Sequence, residues 1–224
     1  MNFWSMEDSR SLATYDLPDA TGERITALAA APFSNDVAVA YDLPQPQVRF
    51  IFTPTGEGLG NMLQATSQVT QLAFSYNGVS LAFAMQDGSL TLWTLETNEL
   101  TELREPSEKL LTDVRYSPNN ELIAASGENG MVVLWNPQTA ERVITLENDG
   151  AARSLSFSAD SLWLAVGYDD GAVRLWDMES YTVFQTIPSV GAQANAVAFS
   201  PDGTQVAVGY SNGTVEFYTI SQPE

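Results

Sequence analysis

The residues best placed to do chemistry in this chain are its carboxylates. Of 224 residues, 28 are Asp or Glu and 9 are Lys or Arg, a formal net charge of −19. Asp169-Asp170-Gly171 and Asp202-Gly203 set acids beside turn glycines, where a calcium ion could be held. Calcium takes about six to eight oxygens, usually from several acids in one loop. Neither segment has the alternating acid spacing of such a loop, so a hairpin turn is expected for each. Glu7 with Asp8, and Glu147 with Asp149, are carboxylate pairs of the kind glycosidases use. A chain this acidic contains such pairs without function. Gly56-Glu57-Gly58-Leu59-Gly60 superficially matches a phosphate-binding glycine loop. That loop needs a strand before it and a helix after it, and a flexible turn is the simpler reading. Asn212-Gly213-Thr214 has the form of a glycosylation acceptor, but a hairpin demands the same residues.

Composition removes other chemistry. The chain has no cysteine, so disulfide frameworks and thiolate nucleophiles are out. It has no histidine, which removes the commonest general base and the commonest metal ligand. No catalytic residue, metal site or cofactor is therefore expected. The charge disfavours a nucleic-acid backbone, whose phosphates need clustered Lys and Arg. It equally disfavours an anionic membrane surface. No apolar run approaches the roughly 20 residues of a spanning helix. Met1 to Arg10 lacks the basic and apolar regions of a signal peptide, and a cytoplasmic location is the default expectation.

The elements that position these residues come from a repeat. Ile25-Thr26-Ala27-Leu28-Ala29 aligns with Val69–Ser75, Leu111–Ser117, Arg153–Ser158 and Asn195–Ser200. The equivalent apolar residues are Leu28, Leu72, Val114, Leu155 and Val197, spaced by 44, 42, 41 and 42. Each unit reads as a short apolar strand followed by a turn such as Ser200-Pro201-Asp202-Gly203. Proline presets φ there, and Asn, Asp or Gly tolerates the later positions. A second strand of small and β-branched residues follows, as in Leu164-Ala165-Val166-Gly167. Next comes a tight hairpin at Asp87-Gly88, Asn129-Gly130, Asp170-Gly171 or Asn212-Gly213, where both residues can take positive φ. The third strand ends in an aromatic, Trp93, Trp135, Trp176 or Tyr218, and a more polar fourth strand closes the unit. The first unit departs from the pattern. Asp42-Leu43-Pro44-Gln45-Pro46-Gln47 replaces its hairpin, which predicts a longer, stiff loop.

Four short strands per unit of about 40–45 residues is the pattern of a propeller blade. Leu134-Trp135-Asn136, Leu175-Trp176-Asp177 and Phe199-Ser200-Pro201-Asp202-Gly203 resemble the WD-repeat family of β-propellers. The resemblance covers essentially the whole chain. It implies an all-β propeller of four-stranded antiparallel blades with five repeats. The units run over about 25–68, 69–110, 111–151, 152–193 and 194–220 of one domain spanning 1–224. The family's blades often carry a hydrogen-bonded network of Trp, Ser or Thr, His and Asp. Trp93, Trp135 and Trp176, the hairpin acids Asp87 and Asp170, and Ser126 match parts of it. No blade can supply the His, so packing and sheet hydrogen bonds must hold the blades.

Residues 2–17 read as partial blade strands, with Trp4 at the aromatic position. The resemblance implies that a fourth strand within residues 11–17 completes the last blade, leaving residues 2–8 surplus. A closed five-bladed ring, an open arc, and a ring completed by further or partner blades all stay open. A start in mid-blade also looks like a piece of a longer array.

For function, the resemblance implies a non-catalytic interaction scaffold that binds a peptide or protein on the top face. Tyr41, Tyr168 and Tyr210 recur at the end of the second strand, on that side. Arg153 starts a first strand on the same rim, together with Thr70, Thr112 and Asn195. Tyr and Arg are favoured interface anchors, although strand-end tyrosines also pack between blades. The tryptophans are expected in the core. The acidic field favours basic or neutral partners. Two alternatives are a structural segment of a larger or self-associating propeller, and a carboxylate-based enzyme or divalent-ion binder.

Overall fold

A computed structural model describes residues 2–4, 11–14, 24–42, 44–52, 54–55, 57–104, 110–128 and 130–220. These residues hold 21 strands and no helix, so none is present that could cross a membrane as a long apolar helix. A two-stranded sheet pairs β1 (Asn2–Trp4) with β2 (Ser11–Thr14). Blade 1 follows, with β3 (Arg24–Ala30), β4 (Asp36–Asp42), β5 (Gln47–Phe52) and β6 (Glu57–Gln64). Blade 2 has β7 (Val69–Phe74), β8 (Ser80–Met85), β9 (Leu90–Thr94) and β10 (Glu99–Arg104). Blade 3 has β11 (Leu111–Tyr116), β12 (Ile123–Gly127), β13 (Val132–Trp135) and β14 (Arg142–Leu146). Blade 4 has β15 (Ala152–Phe157), β16 (Trp163–Tyr168), β17 (Val173–Asp177) and β18 (Val183–Ile187). Blade 5 has three strands, β19 (Ala194–Phe199), β20 (Gln205–Tyr210) and β21 (Val215–Thr219). Neighbouring strands are antiparallel and consecutive, so every blade is a meander.

Turn chemistry fixes the strand ends. After the first strand, a serine hydroxyl accepts the N–H of the residue five positions on. The pairs are Ser75–Ser80, Ser117–Leu122, Ser158–Trp163 and Ser200–Gln205, at 2.9–3.0 Å. At the hairpins, Asp87, Asp170 and Asn212 each accept the N–H two residues on. The following glycines, Gly88, Gly171 and Gly213, sit at φ 80°, 84° and 86°, where a side chain is strained. Asn129 lies outside the described residues, but Gly130 shares this conformation. The glycines at 56–60 precede no helix, since Glu57–Gln64 is β6.

The core lies between blades. The first strands of successive blades pack on one another, β3 on β7, β7 on β11, β11 on β15 and β15 on β19. Each junction has its own apolar cluster, for example Ala38, Val48 and Phe50 of blade 1 with Leu72, Phe83 and Trp93 of blade 2. Trp135 packs with blade 2 residues, and Trp176 with blade 3 residues. Polar bridges reinforce the junctions. Asp113 of blade 3 accepts Leu155 N–H at 2.9 Å, and Ser154 and Ser156 of blade 4 accept Val197 and Phe199 N–H.

The arrangement of the ends differs from the sequence expectation. The strand within residues 11–17 was expected to complete the last blade. Instead Ser11–Thr14 pairs with Asn2–Trp4 (Tyr15 to Leu17 lie outside the described residues). Local pairing explains this, because two strands joined by a short link meet sooner than strands about 200 residues apart. Among the described residues β21 has no outer neighbour. Nor does blade 5 pack on blade 1 as successive blades pack on each other.

Candidate functional site

One irregularity repeats in all five blades. The pairing between first and second strand skips a residue near the start of the first strand. The skipped residues are Thr26, Thr70, Thr112, Arg153 and Asn195. Each is thus the extra residue of a β-bulge, a device that re-aims a side chain and that recurs beside functional sites. The bulges set five side chains at one end of the inner strands, the end that also carries the hairpins and the links between blades. Four of the five were expected on this rim. Thr26 was missed, although Ile25-Thr26 aligns with Val69-Thr70 and Leu111-Thr112.

The five positions are not equivalent. Thr26 and Thr70 donate their hydroxyls to Ala40 and Ala84 carbonyls of their own blades. Thr112 donates to the Ala152 carbonyl of blade 4 and lies 2.8 Å from Ser126 Oγ. These hydroxyls are occupied by the fold. Arg153 is half-buried, and its Nε is buried without a hydrogen-bond partner among the described residues. Asn195 is exposed. Of these five described positions, those at blades 4 and 5 carry side-chain donors without a partner.

The tyrosines lie elsewhere than an open surface. Tyr41, Tyr168 and Tyr210 are 2%, 0% and 5% exposed. They are packing residues, and the Arg49 and Arg174 guanidiniums stand 5.6 and 4.6 Å from the first two rings. Burial pushes the Tyr168 phenol up to about 12, against the opposing influence of the Trp176 indole and of Arg174 beside it. Their strand-end position was readable from sequence. Which way they face was not, because it depends on the neighbouring blade. Trp93, Trp135 and Trp176 are also buried, and Trp93 donates to Asn98 at 2.9 Å. Tyr218 is half-buried, 3.0 Å from the Tyr210 hydroxyl.

Acids surround the same end. Glu147, Asn148, Asp149 and Met131 line a cavity of about 380 Å³ at the link between β14 and β15. Asp170 is a turn residue with an ion pair to Arg174 at 2.9 Å. Partial burial acts to raise its pKa, but the Arg174 and Ala172 hydrogen bonds and the Arg174 charge hold it below the usual range. Asp202, in the turn at the other end, is likewise lowered, first by Ser200 and then by Thr204. Both acids are thus tied to turn groups. No cluster of three or more metal-ligating side chains is found among the described residues, and Glu7 and Asp8 lie outside them.

A second concavity lies at the opposite end, between blades 3 and 4. It measures about 810 Å³ and is lined by Leu122, Val143, Leu162 and Met178 together with Glu121 and Glu179. Sequence reading passed over it. Its signal is Leu162, an exposed leucine directly after the turn Ser158-Ala159-Asp160-Ser161.

Comparison with known families agrees with this geometry. The family "WD domain, G-beta repeat" matches residues 185–219, and the family "Vps8 beta-propeller" matches residues 117–198. The chain carries a WD repeat at its fifth blade. Periodic tryptophan protein 2 homolog of Caenorhabditis elegans is 23% identical over 189 residues, 83% of this chain and 20% of that protein. Small ribosomal subunit protein RACK1y of Oryza sativa subsp. japonica is 29% identical over 130 residues, 57% of this chain and 38% of that protein. WD repeat-containing protein SL1-17 of Schistosoma mansoni is 25% identical over 146 residues, 65% of this chain and 46% of that protein. The chain thus spans less than half the length of each of these relatives. The blades hold no histidine, and hydrogen bonds such as Asp113–Leu155 join neighbouring blades.

Proposed function

We propose that this WD-repeat chain is a non-catalytic interaction scaffold whose bulge rim at blades 4 and 5 binds a peptide or protein segment. The observation that carries the reading is Arg153. The bulge of β15 sets this half-buried cation on the rim, next to the bulge of β19. A partner carbonyl or carboxylate can accept from the terminal nitrogens of the half-buried Arg153 guanidinium, and exposed Asn195 supplies a second polar contact. The surrounding acids and the charge of −19 attract partners of neutral or basic character at longer range. A binding role also suits the absence of histidine and cysteine. One relative, RACK1y, is by name a component of a larger assembly.

The test is selection from a random peptide library on the immobilised chain. Peptides selected by the natural sequence should lose about tenfold or more in affinity on Arg153→Glu, a change of roughly 1.4 kcal/mol per decade. Leu162→Glu, in the opposite groove, should leave them unchanged. Loss on Leu162→Glu with retention on Arg153→Glu moves the site to the groove and ends the rim reading.

A further inference from the structure

Among the described residues, blade 5 turns an uncovered apolar face away from blade 4. In blade 1, the side turned to the next blade presents Ala27, Ala29, Ala38, Ala40, Val48 and Phe50. Blade 2 covers them, and Phe50 stacks against Phe74 and Trp93 at ring distances of 5.9 and 5.5 Å. Strand register puts Ala196, Ala198, Ala207, Gly209, Val215 and Phe217 at the same six places of blade 5. There Val215 is 61% and Phe217 70% exposed. An exposed apolar face of this kind marks a docking surface.

The inner part of the complementary half is open as well. Each later blade buries one residue of its first strand against the blade before it, namely Leu72, Val114, Leu155 or Val197. Leu28 holds that position in blade 1, paired with Val39 as Leu72 is with Phe83. It is 50% exposed. Further out on the same face, Val39, Tyr41 and Ile51 are already buried in their own cluster, so the open part is the inner strand β3.

We propose that the free face of blade 5 docks on strand β3 of a second copy, head to tail. The contact repeats between molecules the inner part of the junction that the chain makes four times within itself. A second copy is the occupant because β3 keeps open the inner part of that junction's other half, at Leu28. Such a contact is heterologous, using different patches on each partner, and it grows into rings or filaments. The charge of −19 on each copy opposes approach, so screening by salt tightens the assembly.

The test is light scattering of the full chain over a concentration series, at about 20 and about 150 mM salt, where the Debye length falls to about 8 Å. The natural sequence should exceed the 24.3 kDa of one chain as concentration rises, more steeply at the higher salt. Phe217→Glu and Leu28→Glu, alone, should each stay at one chain. Mixed in equal amounts they should pair and stop at two, because each retains the half that the other lacks. A natural chain that stays single at every concentration overturns the proposal, including by closing on itself. Mixed variants that stay apart, or Leu28→Glu that still assembles, also overturn it. If either Glu variant has lost its thermal transition, Phe217→Ser and Leu28→Ser replace them with the same readouts.

Discussion

Asp113 and Asp170 occupy opposite electrostatic situations, and the difference is measurable. Asp113 is buried between blades 3 and 4, with Val114 and Leu155 N–H groups on its oxygens and Arg115 at 3.2 Å. Burial raises its pKa, outweighing Arg115 and the hydrogen bonds. A raised carboxyl contributes most stability below its unfolded pKa of about 3.8, and loses it as pH rises through the folded value. Asp170 is lowered, so its contribution is present above about 3.8 and is lost as pH falls through the folded value. Thermal melts from pH 7 to 3 should show this in the differences between natural and variant chains. The deficit of Asp113→Asn should widen as the solution is acidified, while that of Asp170→Asn should shrink. At neutral pH, Asp113→Asn should still cost about 1–3 kcal/mol, because an amide cannot accept from both N–H groups with both of its heavy atoms. Parallel curves for the two variants would show that burial does not govern Asp113.

At the scale of the element, the hairpin glycines divide by what lies above them. A Cβ on Gly171 would collide with Ser189 Oγ and the Ala192 carbonyl, both on the link to blade 5. A Cβ on Gly130 would collide with Asn148 and Gly150 carbonyls on the link to blade 4. Gly213 meets nothing within 4 Å. All three have positive φ, which costs about 1–2 kcal/mol for a residue with a Cβ. Gly213→Ala should therefore lose about that much in a denaturant titration, and Gly171→Ala at least about twice as much, because backbone must also move. Equal losses would mean that the link over Gly171 is not packed as described. The hairpins themselves were legible in the sequence because Asp-Gly and Asn-Gly determine their own turn. Tertiary choices were not legible. The bulge that sets Arg153 apart depends on a register between strands, and the burial of Tyr168 depends on the adjacent blade. The pairing of β2 with β1, rather than with β21, is a competition between two partners for one strand, which a single-chain pattern cannot rank.

At the scale of the whole molecule, protection should fall toward the unfinished end. Inner blades have four strands and neighbours on both faces, so β13 and β17 are paired along both edges. Among the described residues, β21 is paired along one edge, and Val215 and Phe217 are bare on its far face. Exposed edges and thin contact are the conditions for local opening below the global unfolding free energy. In hydrogen exchange at low concentration, the β21 amides bonded to β20 should exchange faster than the corresponding β17 amides bonded to β16. Head-to-tail docking covers the face of blade 5 but leaves the β21 edge unpaired. Raising the concentration should then slow exchange in β19 and β20 and change β21 less. Protection of β21 equal to that of β17, already in dilute solution, would require a strand on its outer edge and would remove the structural basis for an open blade 5.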